Sequence, residues 1–384
     1  MAALLALLGS SAARAADWEG TPSVRIGAEY ADNPLLVPKN ASTYTSSTGD
    51  GTADLSADVA KHGDGYDLSV DPRALFARYL NRSLFDHDDQ YLNLAGDVKS
   101  ERTTWQGSVN GTRDTALTSE VGLTGITDTN RRHESLTVSG GPNYQLTERM
   151  TLTGQGSWLA NHYVDAAGTG LVDYRYLNGD VSDNYALTER SQLGVDVSAG
   201  QLSASLGQSR STNYALQAVL TSRLTELWTA TLSGGPSRVD FGSGQKADGA
   251  VYAVGLQHQG ELYKLNAKVS QTVTPTGRGV LTKYDQLLLS ASGSITERLS
   301  TVLTLQYSRN RDYLNSSATA TGAYALRYYN VQEDLQWKLT PSWSLSLTAQ
   351  AQRQYTTVPP NPGANAYGYR VNLGLVWIGR PRRL

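Results

Sequence analysis

The sequence predicts an all-β protein: a single closed, up-and-down antiparallel barrel of about eighteen strands that crosses a membrane. Three observations predict it. The first is a recurring turn: Leu146-Thr147-Glu148-Arg149, Leu187-Thr188-Glu189-Arg190, Leu224-Thr225-Glu226-Leu227 and Ile295-Thr296-Glu297-Arg298. A variant at Leu339-Thr340-Pro341-Ser342 closes the series, and a degenerate Gln259-Gly260-Glu261-Leu262 splits its longest step, so the period is about 40 residues. The second is alternation of apolar and polar residues on both sides of each turn. The third is the alternation of short turns with longer connections along the chain, which places all the short turns at one end of the barrel.

The strands follow from period-two patterning. The first five fall near 22–31, 50–61, 65–80, 88–99 and 102–113; within them Leu92, Leu94, Gly96 and Val98 oppose Tyr91, Asn93, Ala95, Asp97 and Lys99. The next four fall near 133–147, 149–163, 169–187 and 190–207. Here the apolar positions change parity twice. Tyr174 and Tyr176 give way to Val181, Tyr185 and Leu187, and Leu193, Val195 and Val197 give way to Leu202, Ala204 and Leu206. Two bulges near glycines, or passage out of the membrane, are the expectation. Strands near 210–224, 227–240, 249–259 and 261–273 come next; the last sets Tyr263, Leu265, Ala267 and Val269 against Lys264, Asn266 and Lys268. The series ends near 281–296, 298–312, 320–339, 342–356 and 365–379. In the strand near 298–312, Leu299, Leu303, Leu305 and Tyr307 share one face. Glu333, in phase with Val331, Leu335 and Trp337, points to the apolar side, which predicts an interfacial depth or a further bulge. The stretches Gly140-Gly141-Pro142 and Gly234-Gly235-Pro236 fall inside strands with no helix following. They are expected to relieve crowding in the sheet rather than to cradle phosphate.

Composition narrows the class. The run from Met1 to Gly9 is too short to span a bilayer and leads to Ala13-Arg14-Ala15, so residues 1–15 read as a secretory signal and 16–384 as the barrel domain. Cys is absent, which excludes disulfides and thiolate metal sites. Lys and Arg number 33 against 35 Asp and Glu, so nucleic-acid binding has no electrostatic basis. The 22 Tyr and 7 Trp against 3 Phe suit rings with one apolar and one wet end, as at membrane interfaces. Trp105, Trp158, Trp228, Trp337, Trp343 and Trp377 are expected in interfacial girdles.

The opening stretch Ser23-Val24-Arg25-Ile26-Gly27-Ala28-Glu29-Tyr30-Ala31-Asp32-Asn33-Pro34, together with the turns at 146–149, 187–190 and 295–298, resembles a known family. These are the outer-membrane β-barrel porins associated with exopolysaccharide synthesis and exosortase-type systems. The resemblance spans nearly the whole mature chain on short motifs. It implies an outer-membrane location in a Gram-negative bacterium, export of a polysaccharide, and partners among lipid, polymer and periplasmic secretion components. One departure is the tail Ile378-Gly379-Arg380-Pro381-Arg382-Arg383-Leu384 after Trp377, where many such barrels end on an aromatic residue.

A barrel of this size can hold water, which makes its polar face the candidate functional surface. Pore-lining acids are expected at Glu29, Asp54, Asp58, Asp67, Asp71 and Asp97, and bases at Arg223, Lys264, Lys268, Lys338 and Arg370. Tyr91, Asn93, Gln286, Gln306, Gln332 and Gln336 are expected as uncharged polar lining. An acidic early wall facing a basic later wall would set up a transverse field; pairing across the lumen is the alternative. Asp86-His87-Asp88-Asp89 is the densest titratable cluster and falls on a long connection. It is the position from which a barrel protease or lipase would act, although a solvated loop is the simpler reading. No catalytic residue, metal or cofactor is predicted. The leading expectation is a conduit for exopolysaccharide export, with a general diffusion porin for small polar solutes as the second reading and a barrel enzyme as the third.

Overall fold

The computed structural model describes residues 18–38, 47–80, 83–120, 131–205, 210–242, 244–313, 325–356 and 364–383. The expected signal segment lies outside them. Eighteen long antiparallel strands form one sheet: β1 (Trp18–Asp32), β2 (Ser47–Gly63), β3 (Tyr66–Tyr79), β4 (His87–Lys99), β5 (Thr103–Thr115) and β6 (Arg132–Gln145). Next come β7 (Met150–Tyr163), β8 (Tyr174–Ala186), β9 (Ser191–Ala204), β10 (Ser211–Arg223), β11 (Trp228–Asp240) and β12 (Lys246–Gln259). The last six are β13 (Tyr263–Pro275), β14 (Leu281–Ser294), β15 (Leu299–Asp312), β16 (Ala325–Lys338), β17 (Trp343–Thr356) and β18 (Ala364–Ile378). Each pairs with its neighbours in sequence, and β18 returns to β1 from Ser23↔Ile378 to Asp32↔Tyr369, closing the barrel. A two-residue β19 (Arg382–Arg383) prolongs that seam along Glu19 and Gly20. The tail after Trp377 therefore continues the closing ladder. No described helix is long and apolar enough to cross a membrane.

The recurring turn owes its sequence to the threonine hydroxyl. In each copy the first residue closes the hairpin through its backbone N–H, as in Leu187 to the Ser191 carbonyl at 2.9 Å. The Thr188 hydroxyl then accepts from the N–H groups of Arg190 and Ser191 at 3.2 and 3.0 Å. Thr225, Thr296 and Thr340 repeat this geometry. Such side-chain bonds satisfy backbone donors that the ladder leaves open. The leading Leu146, Leu187, Leu224, Ile295 and Leu339 are all exposed and mark the edge of an apolar belt.

Register assigns the two faces. Outward positions carry Ile26, Val195, Val197, Leu232, Val254 and Leu373, which are among the most exposed apolar side chains of the chain. An exterior of this kind requires lipid rather than water around it. Trp228, His258 and Tyr263 stack at its short-turn end, with ring centroids 4.6 and 4.7 Å apart.

At both places where the phase suggested a bulge as one alternative, none forms. The ladders of β8 and β9 run without a bulge from Tyr174↔Ala204 to Ala186↔Gln192, and β9 with β10 from Ser211↔Leu202 to Ser222↔Ser191. Glu333 also sits in an unbroken ladder, opposite Leu303 and Ala349, and faces outward with its carboxylate accepting from the Thr301 hydroxyl. What changes along β8 and β9 is the surroundings. At the long-loop end, inward-facing Tyr174, Tyr176, Leu202 and Ala204 meet a second apolar layer inside the barrel.

That layer comes from a local overlap of the wall. The β12–β13 ladder stops at Tyr252↔Gln271, although β12 stays paired with β11 up to Lys246 and β13 with β14 up to Pro275. Above the split, the tip of the β13–β14 hairpin turns inward. The Val172 N–H donates to the Gly277 carbonyl at 2.7 Å, and a Cβ on Gly279 would come within 2.9 Å of that of Ala204. Tyr163, Leu171, Tyr174, Leu202, Val239, Leu281 and Tyr313 bury one another there, with Ala116 from the short helix α1 (Ala116–Glu120). The Gly-Gly-Pro stretches match expectation. Ladder pairs are missing at Gly141–Pro142 and Gly235–Pro236, where a Cβ would lie 1.8 Å from the Gly154 oxygen and 1.9 Å from that of Leu216.

Candidate functional site

The inner face is the candidate surface, and strand register fixes its members. Pairing runs from Glu29 to Asn372 and Thr348, and from Arg370 to Gln350, Gln332 and Thr304. Gln306 and Gln286 share that face through Ser308, as does Gln336 through Ser300 and Ser346. Lys264 opposes Ser292, Lys268 opposes Leu288, Arg223 opposes Thr229, and Lys338 opposes Ser344. On the early wall Asp54 pairs with Arg25, Asp58 with Thr21, Asp71 with Asn93, Arg73 with Tyr91, and Asp67 with Asp97. All the positions expected to line the interior thus fall on one face, opposite the apolar belt.

Their electrostatics differ from both readings of the sequence. The early acids pair along the wall, with bases on neighbouring strands. Arg73 holds Asp54 through a forked contact with bonds of 2.9 and 2.7 Å. Lys99 bridges the directly opposed Asp67 and Asp97 at 2.8 and 3.1 Å, and His62 adds a 2.7 Å contact to Asp67. Arg370 lies 3.6 Å from Glu29, while Arg25 donates to Asn372 at 2.5 Å. Asn93 donates to Asp71 at 3.1 Å. Arg223, Lys264, Lys268 and Lys338 are exposed, and among the described residues none has a carboxylate in ion-pair range. The early wall, which leans acidic but carries Arg25, Arg73 and Lys99 in the same phase, is largely neutralised by local pairing, and the later bases stand open.

Inward carboxylates at Asp180, Asp196 and Asp334 were missed by sequence reasoning. Asp180 was hidden by the bulge expected around Asn178-Gly179, and Asp196 by the second phase shift. Uninterrupted two-residue alternation through both strands was the available signal. Asp334 accepts from Gln332 at 2.7 Å and from Thr348 at 2.6 Å.

The Asp86–Asp89 cluster is engaged locally. The Asp86 carboxylate accepts the Tyr79 N–H at 2.8 Å, and Asp88 pairs with Arg78 at 2.6 Å. The buried Asp89 lies 3.6 Å from His87 and 3.8 Å from Arg132. These contacts staple the start of β4 to β3 and β6. Among the described residues no group of three His, Asp or Glu side chains is arranged to hold a metal. Of the other histidines, His133 is buried against Asp114 at 2.8 Å and stacks on Tyr163, whose hydroxyl donates to Glu120 at 2.5 Å.

No family model matches the chain, and no curated protein matches it. Solved structures do. OccAB3 of Acinetobacter baumannii is similar over 95% of this chain and 100% of its own, at 10% identity and a TM-score of 0.50. OccK2 (OpdF) of Pseudomonas aeruginosa is similar over 94% and 97%, at 12% identity and a TM-score of 0.48. The FrpB iron transporter of Neisseria meningitidis is similar over 95% and 83%, at 8% identity and a TM-score of 0.48. At these identities the likeness is one of fold: a closed β-barrel of the outer-membrane kind.

Proposed function

We propose that the protein is a passive outer-membrane channel of a Gram-negative bacterium that admits small polar solutes. The observation that carries this reading is the division of the closed wall into an apolar exterior and a polar interior. Away from the apolar layer at the long-loop end, the interior is lined with Asp, Asn, Gln, Lys and Arg. Unpaired Arg223, Lys264 and Lys268 and the amide-rich stretch Gln332–Gln350–Arg370 would contact the permeating solute. Export of an exopolysaccharide is the more demanding reading. The apolar layer and the inward β13–β14 tip narrow the long-loop end, which favours small solutes over a polymer chain. Proteoliposome swelling with sugars, amino acids and small acids of graded size tests this. Uptake that falls off with solute size supports the proposal, and impermeability to every small solute overturns it.

A further inference from the structure

We propose that the outward face of β15–β17 at the long-loop end binds the phosphorylated headgroup of an outer-leaflet lipid, an inference that rests on the membrane placement proposed above. Arg309, Arg327 and Arg353 occupy outward register positions on three consecutive strands. With about 3.3 Å of rise per residue and a tilt near 40°, each residue climbs about 2.5 Å along the barrel axis. Arg327 and Arg353 each stand ten positions from the girdle residues Trp337 and Trp343 of their own strands, a climb of about 25 Å. That is the full height of an apolar belt, so these guanidinium groups reach the opposite headgroup layer.

Two observations favour an anion there. Arg309 and Arg327 are directly opposed across the ladder, a like-charge pairing that is unfavourable without an intervening counter-charge. Arg309 faces Asp285 across its other ladder, but Asp285 bonds Arg311 at 2.6 Å; Arg353 donates to the Asn365 amide oxygen at 3.0 Å, and among the described residues no carboxylate lies in ion-pair range of Arg309, Arg327 or Arg353. Arg311 adds like charge in the same register, so Asp285 is one acid among four bases.

The ligand chemistry follows from position and neighbours. Guanidinium forks match phosphate oxygens in bidentate geometry. Tyr307 and Tyr329 pack at 4.9 Å between ring centroids, and Tyr355 lies under Arg327 at 5.8 Å. Below them Val331 and Leu305 continue the apolar belt. An amphiphile with a phosphate at the arginines and acyl chains along the belt satisfies both parts. A free anion would leave the apolar part without a role.

Native mass spectrometry of the full-length detergent-solubilised protein tests this. The probes are an acylated, bisphosphorylated disaccharide lipid, its dephosphorylated counterpart, and inorganic phosphate. The wild type is expected to retain the phosphorylated lipid at least tenfold more tightly than the dephosphorylated one, a comparison that needs no variant. Arg327→Gln with Arg353→Gln should abolish that preference, whereas Arg175→Gln, outward at the same end on β8, should preserve it. Equal retention of the two lipids, an unchanged preference in the double variant, or phosphate binding as tight as that of the lipid overturns the proposal. Channel conductance is a separate readout, so loss of the lipid preference with conductance intact separates this inference from the transport reading.

Discussion

At the scale of the residue, the hydroxyl of Thr188 and the hydrogens of Gly141 are where the chain has least freedom. Thr188→Ala removes an acceptor for two backbone N–H groups and should cost about 1 kcal/mol in unfolding free energy, with Thr188→Ser restoring most of it. Gly141→Ala places a carbon against the Gly154 carbonyl oxygen and should lower the urea midpoint, more so than Gly107→Ala in β5, where the nearest atom is 3.8 Å away. On the exterior, Leu347→Arg puts a charge between Leu335 and Leu373 in the apolar belt and should cost about 2–4 kcal/mol if refolded into a bilayer. Reversible folding titrations into lipid vesicles measure these three effects. Inside, Lys264 and Asp67 differ in a way that alternation does not disclose: one is exposed without a partner, while the other holds Lys99 and His62.

At the scale of the element, the strands were legible and their upper surroundings were not. Period-two alternation is a local property of the backbone, so each of the eighteen strands could be read from its own residues, and the threonine turns fixed where hairpins end. The inner face was legible for the same reason. Whether an inward residue meets water or another layer depends on contacts distant in sequence. Tyr174 and Leu202 become apolar on the inner face because the tip after β13 folds onto them, and nothing within β8 or β9 announces that. The same ignorance of neighbours left bulges standing as one alternative to a change of environment. It also hid the pairing of Asp54 with Arg73, nineteen positions apart. The docked tip makes its own prediction. Replacing residues 276–280 by a two-residue turn removes the Gly277 and Gly279 contacts and should raise single-channel conductance, with no loss of the folded band on unheated gels.

At the scale of the whole molecule, closure between β1 and β18 removes every long sheet edge and leaves an apolar exterior and a charged, hydrated-type interior. The proposed function is tested by what that interior does to ions. Lys264→Ala with Lys268→Ala removes charge that no carboxylate offsets and should shift selectivity toward cations. Asp67→Ala with Asp71→Ala removes two acids, leaves Lys99 with Asp97 alone and should shift it toward anions. Both shifts should shrink as salt rises, because the screening length falls to about 3 Å at molar ionic strength. The most direct measurement is single-channel conductance of the purified protein in planar bilayers, with reversal potentials taken in a salt gradient. The account predicts discrete, ohmic openings whose reversal potential moves in opposite directions in the two double variants. A folded barrel that stays silent, and remains silent after the long connections are shortened, would contradict it and mean that the interior is filled rather than open.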